Sequence, residues 1–120
     1  MKKLLTLLIS LFMFQWAAAD SPYRHVVLLK FKDDASKEQI TTIEKHFINL
    51  KDKIDTIQDI EWGINDVSST RGDGFTHCFF VTFENKAGLD AYSPHPEHQK
   101  FVTELKKVLD KVLVVDYTAQ

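Results

Sequence analysis

Two histidines three residues apart, His95 and His98, flank Pro96 in the stretch AYSPHPEHQKF (residues 91–101), and Tyr92 lies just upstream. Imidazole titrates near pH 6.5 and can accept a proton, donate one or ligate a metal, while a tyrosine hydroxyl can position or polarise a carbonyl. The stretch therefore poses three alternatives: a metal clip, an acid–base site or a helix start. Pro96 suits the first position of a helix, where its missing N–H would be unsatisfied anyway and its fixed φ is already helical. That makes His95 the N-cap, and Glu97 in the same turn is favoured by the helix dipole. From His98, the residues Phe101, Leu105, Val108 and Val112 follow at spacings of three and four, so His98 shares a buried stripe, whereas His95 precedes the helix. Helix-borne ligands converge when they share a face. No cysteine or carboxylate stands at ligand spacing beside this pair, so the expectation is a site with neither metal nor cofactor.

His25 and His77 sit in segments that alternate as strands, each on the face that carries the larger apolar residues. If those faces look toward the helices, His25, His77 and His98 would ring one apolar cavity together with Tyr92. A single buried histidine is ordinarily a core residue hydrogen-bonded to a carbonyl. Three of them with a tyrosine are harder to account for in that way, and such a group is suited to general acid–base work. His46 lies beside the helical stripe and is read as surface. The chain has no glycine-rich phosphate loop and no nucleophile elbow, and Ser68-Ser69-Thr70 has no activating base nearby.

The elements that must position these groups follow from periodicity. HVVLLKFK (residues 25–32) is a first strand, apolar on both faces, with His25, Val27, Leu29 and Phe31 on one side and Val26, Leu28 and Lys30 on the other. Ser36 caps a helix whose stripe is Ile40, Ile43, Phe47, Leu50 and Ile54, with Glu44 among the charged residues of its other faces. Residues 57–66 alternate as a second strand, with Gly63 a candidate bulge. Ser68 to Gly74 is a hairpin connection, and Phe75 to Phe83 form a third strand with His77, Phe79 and Val81 on one face and Cys78 and Phe80 on the other. A short helix over residues 84–92 precedes a helix from Pro96 to about Lys111, and Val112 to Thr118 form the last strand. The order β-α-β-β-α-β is the α+β, ferredoxin-like arrangement: a four-stranded antiparallel sheet with helices on one face. Val26, Leu28, Cys78 and Phe80 then need cover on the open face, which a sheet-to-sheet homodimer supplies.

The first 19 residues have Lys2 and Lys3, an apolar run from Leu4 to Trp16 and an Ala17-Ala18-Ala19 exit. This is the form of a Sec-type signal peptide cut after Ala19, and the run is shorter than the roughly 20 apolar residues of a membrane span. The expectation is an exported chain, periplasmic or secreted, with one domain over residues 20–120 and no membrane attachment after cleavage. The whole chain has 15 Lys and Arg against 17 Asp and Glu, a formal charge of −2; removing Lys2 and Lys3 leaves 13 against 17, or −4. Its lysines are interleaved with acids, so no basic face is available for nucleic acid. Cys78, the one cysteine, lies in an apolar strand and is read as a buried thiol. A domain of this size buries only about 65% of its unfolded surface and gains from dimerising.

The segments HVVLLKFK, IEWG, GFTHCFFVTFEN, YSPHPEHQKF and VDYT together resemble the stress-responsive dimeric α/β-barrel, or Dabb, family over His25 to Thr118. The resemblance implies a protomer that dimerises through its sheet into a barrel, with a pocket between sheet and helices in each subunit. One plant member of that family closes a carbon–carbon ring in a polyketide thioester. Its acid–base pair falls here on Tyr92 and His98, its pocket histidines on His25 and His77, and its apolar pocket positions on Val27, Leu29, Ile43, Phe47, Phe79 and Phe101. Glu44 stands where that member has an aromatic residue and Leu109 where it has tryptophan, which alters the pocket's shape and polarity. The functional expectation is a homodimer that binds a small, partly apolar ligand without a cofactor. Cofactor-free cyclase- or lyase-like proton transfer by Tyr92 and His98 is one alternative, and a structural, stress-related dimer without an active site is the other.

Overall fold

The computed structural model describes residues 21–66 and 70–120, so the signal-peptide reading of residues 1–19 lies outside the described residues. The order is β1 (Tyr23–Phe31), α1 (Lys37–Lys53), β2 (Ile57–Ile64), a 3₁₀ turn (Thr70–Gly72), β3 (His77–Phe83), α2 (Lys86–Tyr92), α3 (Pro96–Lys106) and β4 (Leu109–Thr118). The four strands form one antiparallel sheet in the order β2-β3-β1-β4. This is the ferredoxin-like α+β arrangement expected from the sequence.

Local chemistry sets the ends of α1. The Ser36 hydroxyl accepts the Gln39 N–H at 3.1 Å and the Gln39 side chain accepts the Ser36 N–H at 2.9 Å, a reciprocal cap that satisfies two otherwise orphaned donors. The stripe Ile43, Phe47, Leu50 and Ile54 is buried, with Ile40 packed at its margin. It meets Val27, Leu29, Phe31, Phe79, Val81 and Phe83 from the centre of the sheet. Phe47 joins three elements: it stacks on Phe79 with centroids 4.1 Å apart and meets Phe101 of α3 edge-on at 4.9 Å.

The open face of the sheet carries Val26, Leu28, Cys78 and Phe80, all half-buried, with Leu113, Val115 and Tyr117 more than 40% exposed on β4. Arg24 lies over the Phe80 ring at 5.1 Å and donates to Thr82 at 2.6 Å.

Three local expectations are corrected. Gly63 pairs regularly with Cys78, and the register shift of β2 falls between Ile57 and Asp59, so Gln58 is the extra residue. The last helix ends at Lys106 rather than near Lys111, and β4 begins at Leu109 rather than Val112. β1 is nine residues long and recruits this segment as its partner: Lys32 N–H reaches Val108 O at 2.8 Å, Phe31 pairs with Leu109, and Asp110 is accommodated as an irregularity. Finally, Glu44 does not face outward. It lies four residues after Ile40 and three before Phe47, the spacing of the buried stripe itself, and only 18% of its side chain is exposed.

Candidate functional site

Three elements bring Tyr92, His25 and His98 together. Gly88 lets α2 approach the sheet closely: a Cβ at this position would lie 2.9 Å from the Cβ of Phe83. Thr56 holds the same turn by donating to the Gly88 carbonyl at 2.9 Å. One turn further on, Tyr92 points down onto β3 and β1, with its ring 5.4 Å from Phe83 and 5.7 Å from His25. The chain then turns through Ser93 and Pro94 into α3. His95 caps α3, its Nδ1 accepting the Glu97 N–H at 3.1 Å, as the sequence predicts. That use of the His95 ring, one turn before His98, leaves the two imidazoles with different tasks.

His98 lies with its ring 4.1 Å from that of Tyr92. Its Nδ1 is 2.9 Å from the Ser93 carbonyl, which can only accept, so Nδ1 carries the hydrogen and the neutral ring keeps its lone pair on Nε2. Burial disfavours the imidazolium and lowers the pKa of His98 below 6.5; the Ser93 hydrogen bond opposes this, and the neighbouring His25 and His95 reinforce it. At neutral pH His98 is therefore a base with Nε2 available. Tyr92 is 1% exposed, and burial raises its pKa well above the ordinary phenol value, so it stays protonated and serves as a donor. Its hydroxyl has no hydrogen-bond partner among the described residues. Since no fully buried side-chain polar atom there lacks a partner, the hydroxyl must reach open space.

His25 completes the group from β1. Its Nδ1 is 2.6 Å from Oδ1 of Asp116, its cross-strand partner on β4. The carboxylate accepts this hydrogen bond, orients the ring and leaves Nε2 directed elsewhere. Asp116 was not among the residues singled out from the sequence. VDYT closes the last strand, and only the pairing of β4 with β1 brings its carboxylate opposite His25.

The space these groups share is a cavity of about 240 Å³ between β1, β4 and α3. Of the residues predicted to form the site, Tyr92, His98, His25, Val27, Phe47 and Phe101 line it. Val102, Leu105, Lys106, Leu109, Val112 and Val114 complete the wall. Leu29, Ile43 and Phe79 do not line it; they are buried in the core behind Phe47 and Val27. His77 is also absent from the cavity wall, and the sheet register explains why. In the antiparallel pairing, His25 opposes Val81 whereas His77 opposes Leu29, so the two histidines are separated by four residues along the strands, about 13 Å.

His77 belongs to a different cluster. Its Nε2 donates to Glu44 at 2.8 Å, its Nδ1 is 2.8 Å from the Thr76 hydroxyl, and its ring stacks near Trp62 and meets Phe31 edge-on at 4.9 Å. Both ring nitrogens are engaged. A larger groove of about 340 Å³ lies between the start of α1 and the end of α3, lined by Ser36, Glu38, Gln39, Thr42, Ile43, Glu104, Lys107 and Val108. It contains no imidazole or phenol. His77 touches a further pocket of about 290 Å³ with Leu28, Gly63, Phe75 and Cys78, but both of its ring nitrogens are engaged, so the acid–base groups that are open lie at the 240 Å³ cavity. His46 is exposed, as expected, and pairs with Glu104 at 2.6 Å. Among the described residues, no three or more His, Cys, Asp and Glu side chains gather at metal-binding distance, and no helix is long and apolar enough to cross a membrane.

A ferredoxin-like protomer with an apolar cavity between sheet and helix, edged by a tyrosine and two imidazoles, defines the class of protein. The chain belongs to the Dabb family, the stress-responsive A/B barrel domain, which matches residues 23–119. It is 39% identical over 99 residues to the stress-response A/B barrel domain-containing protein HS1 of Arabidopsis thaliana, covering 82% of this chain and 91% of that one. It is 33% identical over 95 residues to olivetolic acid cyclase of Cannabis sativa, covering 79% and 94%. Among solved structures it resembles hydroxynitrile lyase from Passiflora edulis, with TM-score 0.78 and 26% identity over 84% of this chain and 95% of that one. It also resembles a dimeric, ferredoxin-like protein of unknown function from Bacteroides fragilis, with TM-score 0.64 and 27% identity over 82% and 96%.

Proposed function

We propose that the chain is an exported homodimer that binds a small, partly apolar molecule in the cavity between β1, β4 and α3. The observation that carries this reading is that Tyr92 and His98 line one apolar cavity, and that the Tyr92 hydroxyl and the His98 Nε2 have no hydrogen-bond partner among the described residues. Buried polar groups are normally satisfied within the fold, and groups left open at a cavity are the means by which a pocket orients a ligand. The homodimer is supported by the half-buried apolar residues of the open sheet face and by the dimeric Bacteroides fragilis protein. Export rests on the N-terminal sequence pattern.

A second reading, cofactor-free proton transfer at the same site, is favoured by one specific feature. The Ser93 carbonyl fixes the tautomer of His98 that leaves a basic Nε2, and burial keeps that ring neutral and Tyr92 protonated. A carbonyl oxygen accepting from Tyr92 would place the adjacent C–H within range of His98, the arrangement general acid–base catalysis requires. Two relatives named as a cyclase and a lyase are in keeping with it.

Thermal-shift measurement with 2-octanone, a neutral amphiphile of the right size, tests the binding reading. The wild type should be stabilised in proportion to ligand occupancy. His98→Ala should lose most of that response while sedimenting, like the wild type, at twice the monomer mass. A full response in His98→Ala would overturn the site, and a monomer at micromolar concentration would overturn the dimer.

A further inference from the structure

One charged group stands at the edge of the cavity. Lys106, the last residue of α3, lines it, and it also lines a shallower groove on the outer side of α3 with Ser93, His98 and Gln99. His98, Val102 and Lys106 belong to both spaces. They are spaced by four, so they form one line along the helix, about 12 Å long, that is the rim between inside and outside. Base, apolar side chain and cation thus follow one another along the cavity mouth.

The ammonium of Lys106 is exposed and has no ion pair or hydrogen bond among the described residues. Elsewhere, Lys30 pairs with Asp110, Lys53 with Glu97 and Lys111 with Asp73. No Asp or Glu lines the cavity, and Asp116, the carboxylate beside His25, already accepts from that ring. Lys106 is therefore the uncompensated charge of the cavity wall, which is otherwise apolar apart from Tyr92, His25 and His98. At about 30 Å³ for each water-sized group, 240 Å³ holds roughly eight of them, which suits a short alkyl chain or a single ring.

We propose that Lys106 is a specificity-determining residue, and that the site takes small organic acids whose apolar body fills the cavity and whose anionic group remains hydrated at the rim beside Lys106. This inference rests on the reading of the cavity as a ligand site. It assigns the charge of the ligand, which that reading leaves open. An anion at the rim keeps its contact with water, so the lysine adds selectivity without the cost of burying a charge.

Titration of the full chain with octanoate and with 1-octanol at pH 8, followed by calorimetry, compares one apolar body with and without the charge. Octanoate should bind more tightly, with a preference that shrinks as salt is added. Lys106→Met should weaken octanoate by about 1.5-fold to fivefold, the range for an exposed ion pair, and leave octanol unchanged. Lys106→Glu should reverse the preference. Octanol binding as tightly as octanoate, or equal losses for both in Lys106→Met, would overturn this inference while leaving the cavity reading intact. If neither probe binds the wild type, both fall together.

Discussion

The two inward-facing strand histidines, His25 and His77, occupy equivalent places in the alternation of β1 and β3 but have opposite surroundings. At the His77 end, Glu44 and the Thr76 hydroxyl occupy both ring nitrogens, and Phe31, Phe79 and Trp62 pack around the ring. At the His25 end, Asp116 holds one nitrogen, Tyr92 stands between His25 and His98, and a cavity opens beside them. Burial of a histidine therefore does not by itself mark a site; what matters is whether its second nitrogen has been spent on the fold.

That contrast can be broken from either end. The largest effect should be on chemistry at the open end, read as deuterium incorporation next to the carbonyl of 2-octanone in D₂O. His98→Ala should slow it about 10²- to 10⁴-fold, the usual contribution of a general base, while His77→Ala should leave the rate of the folded protein nearly unchanged. The wild-type rate should fall in acid with a midpoint below 6.5, because the group that must be neutral has a lowered pKa. The sign for stability is the same: with its folded pKa depressed, His98 contributes stability above its unfolded value that is lost as pH falls through the folded one. A rate indifferent to His98→Ala would remove the catalytic reading and leave binding standing.

At the closed end the effect should be on folding. Removing His77 leaves the half-buried Glu44 carboxylate without its hydrogen-bond donor, so His77→Ala should cost about 1–3 kcal/mol in urea unfolding, whereas His98→Ala should cost about 1 kcal/mol or less. Equal losses at the two positions would erase the distinction drawn between them. The smallest effect is expected from Tyr92→Phe, which keeps the ring packing and removes one hydrogen bond to the ligand. Affinity for 2-octanone should fall by about tenfold at most, with little change in melting temperature.

Much of this was legible in the sequence. The element order, the capping of α1 by Ser36 and the division of labour between His95 and His98 all follow from spacing and side-chain chemistry. The convergence of His25 with His77 does not, and the reason lay within reach: both residues sit near the starts of their strands, and antiparallel neighbours start at opposite ends of the sheet. The charge of Glu44 points to solvent, although its spacing from Ile40 and Phe47 places it on the buried stripe, where the His77 Nε2 is its partner. Asp116 and Lys106 escaped notice for a different reason. Each becomes part of the site only through a partner distant in sequence, Asp116 by its pairing with His25 and Lys106 by its place on the cavity rim, and no local pattern specifies such pairings. The close approach of Gly88 to Phe83 belongs to the same kind, because a glycine within a helix does not reveal which backbone lies beneath it.

Long-range ¹⁵N–¹H correlation of the five imidazoles during titration with 2-octanone reads both ends of the molecule in one sample. The Nε2 resonances of His98 and His25 should move together and saturate, while both nitrogens of His77 stay where they are. Shifts at His77 equal to those at His98, or a titration in which neither His98 nor His25 moves, would contradict the distinction between the open and the closed end.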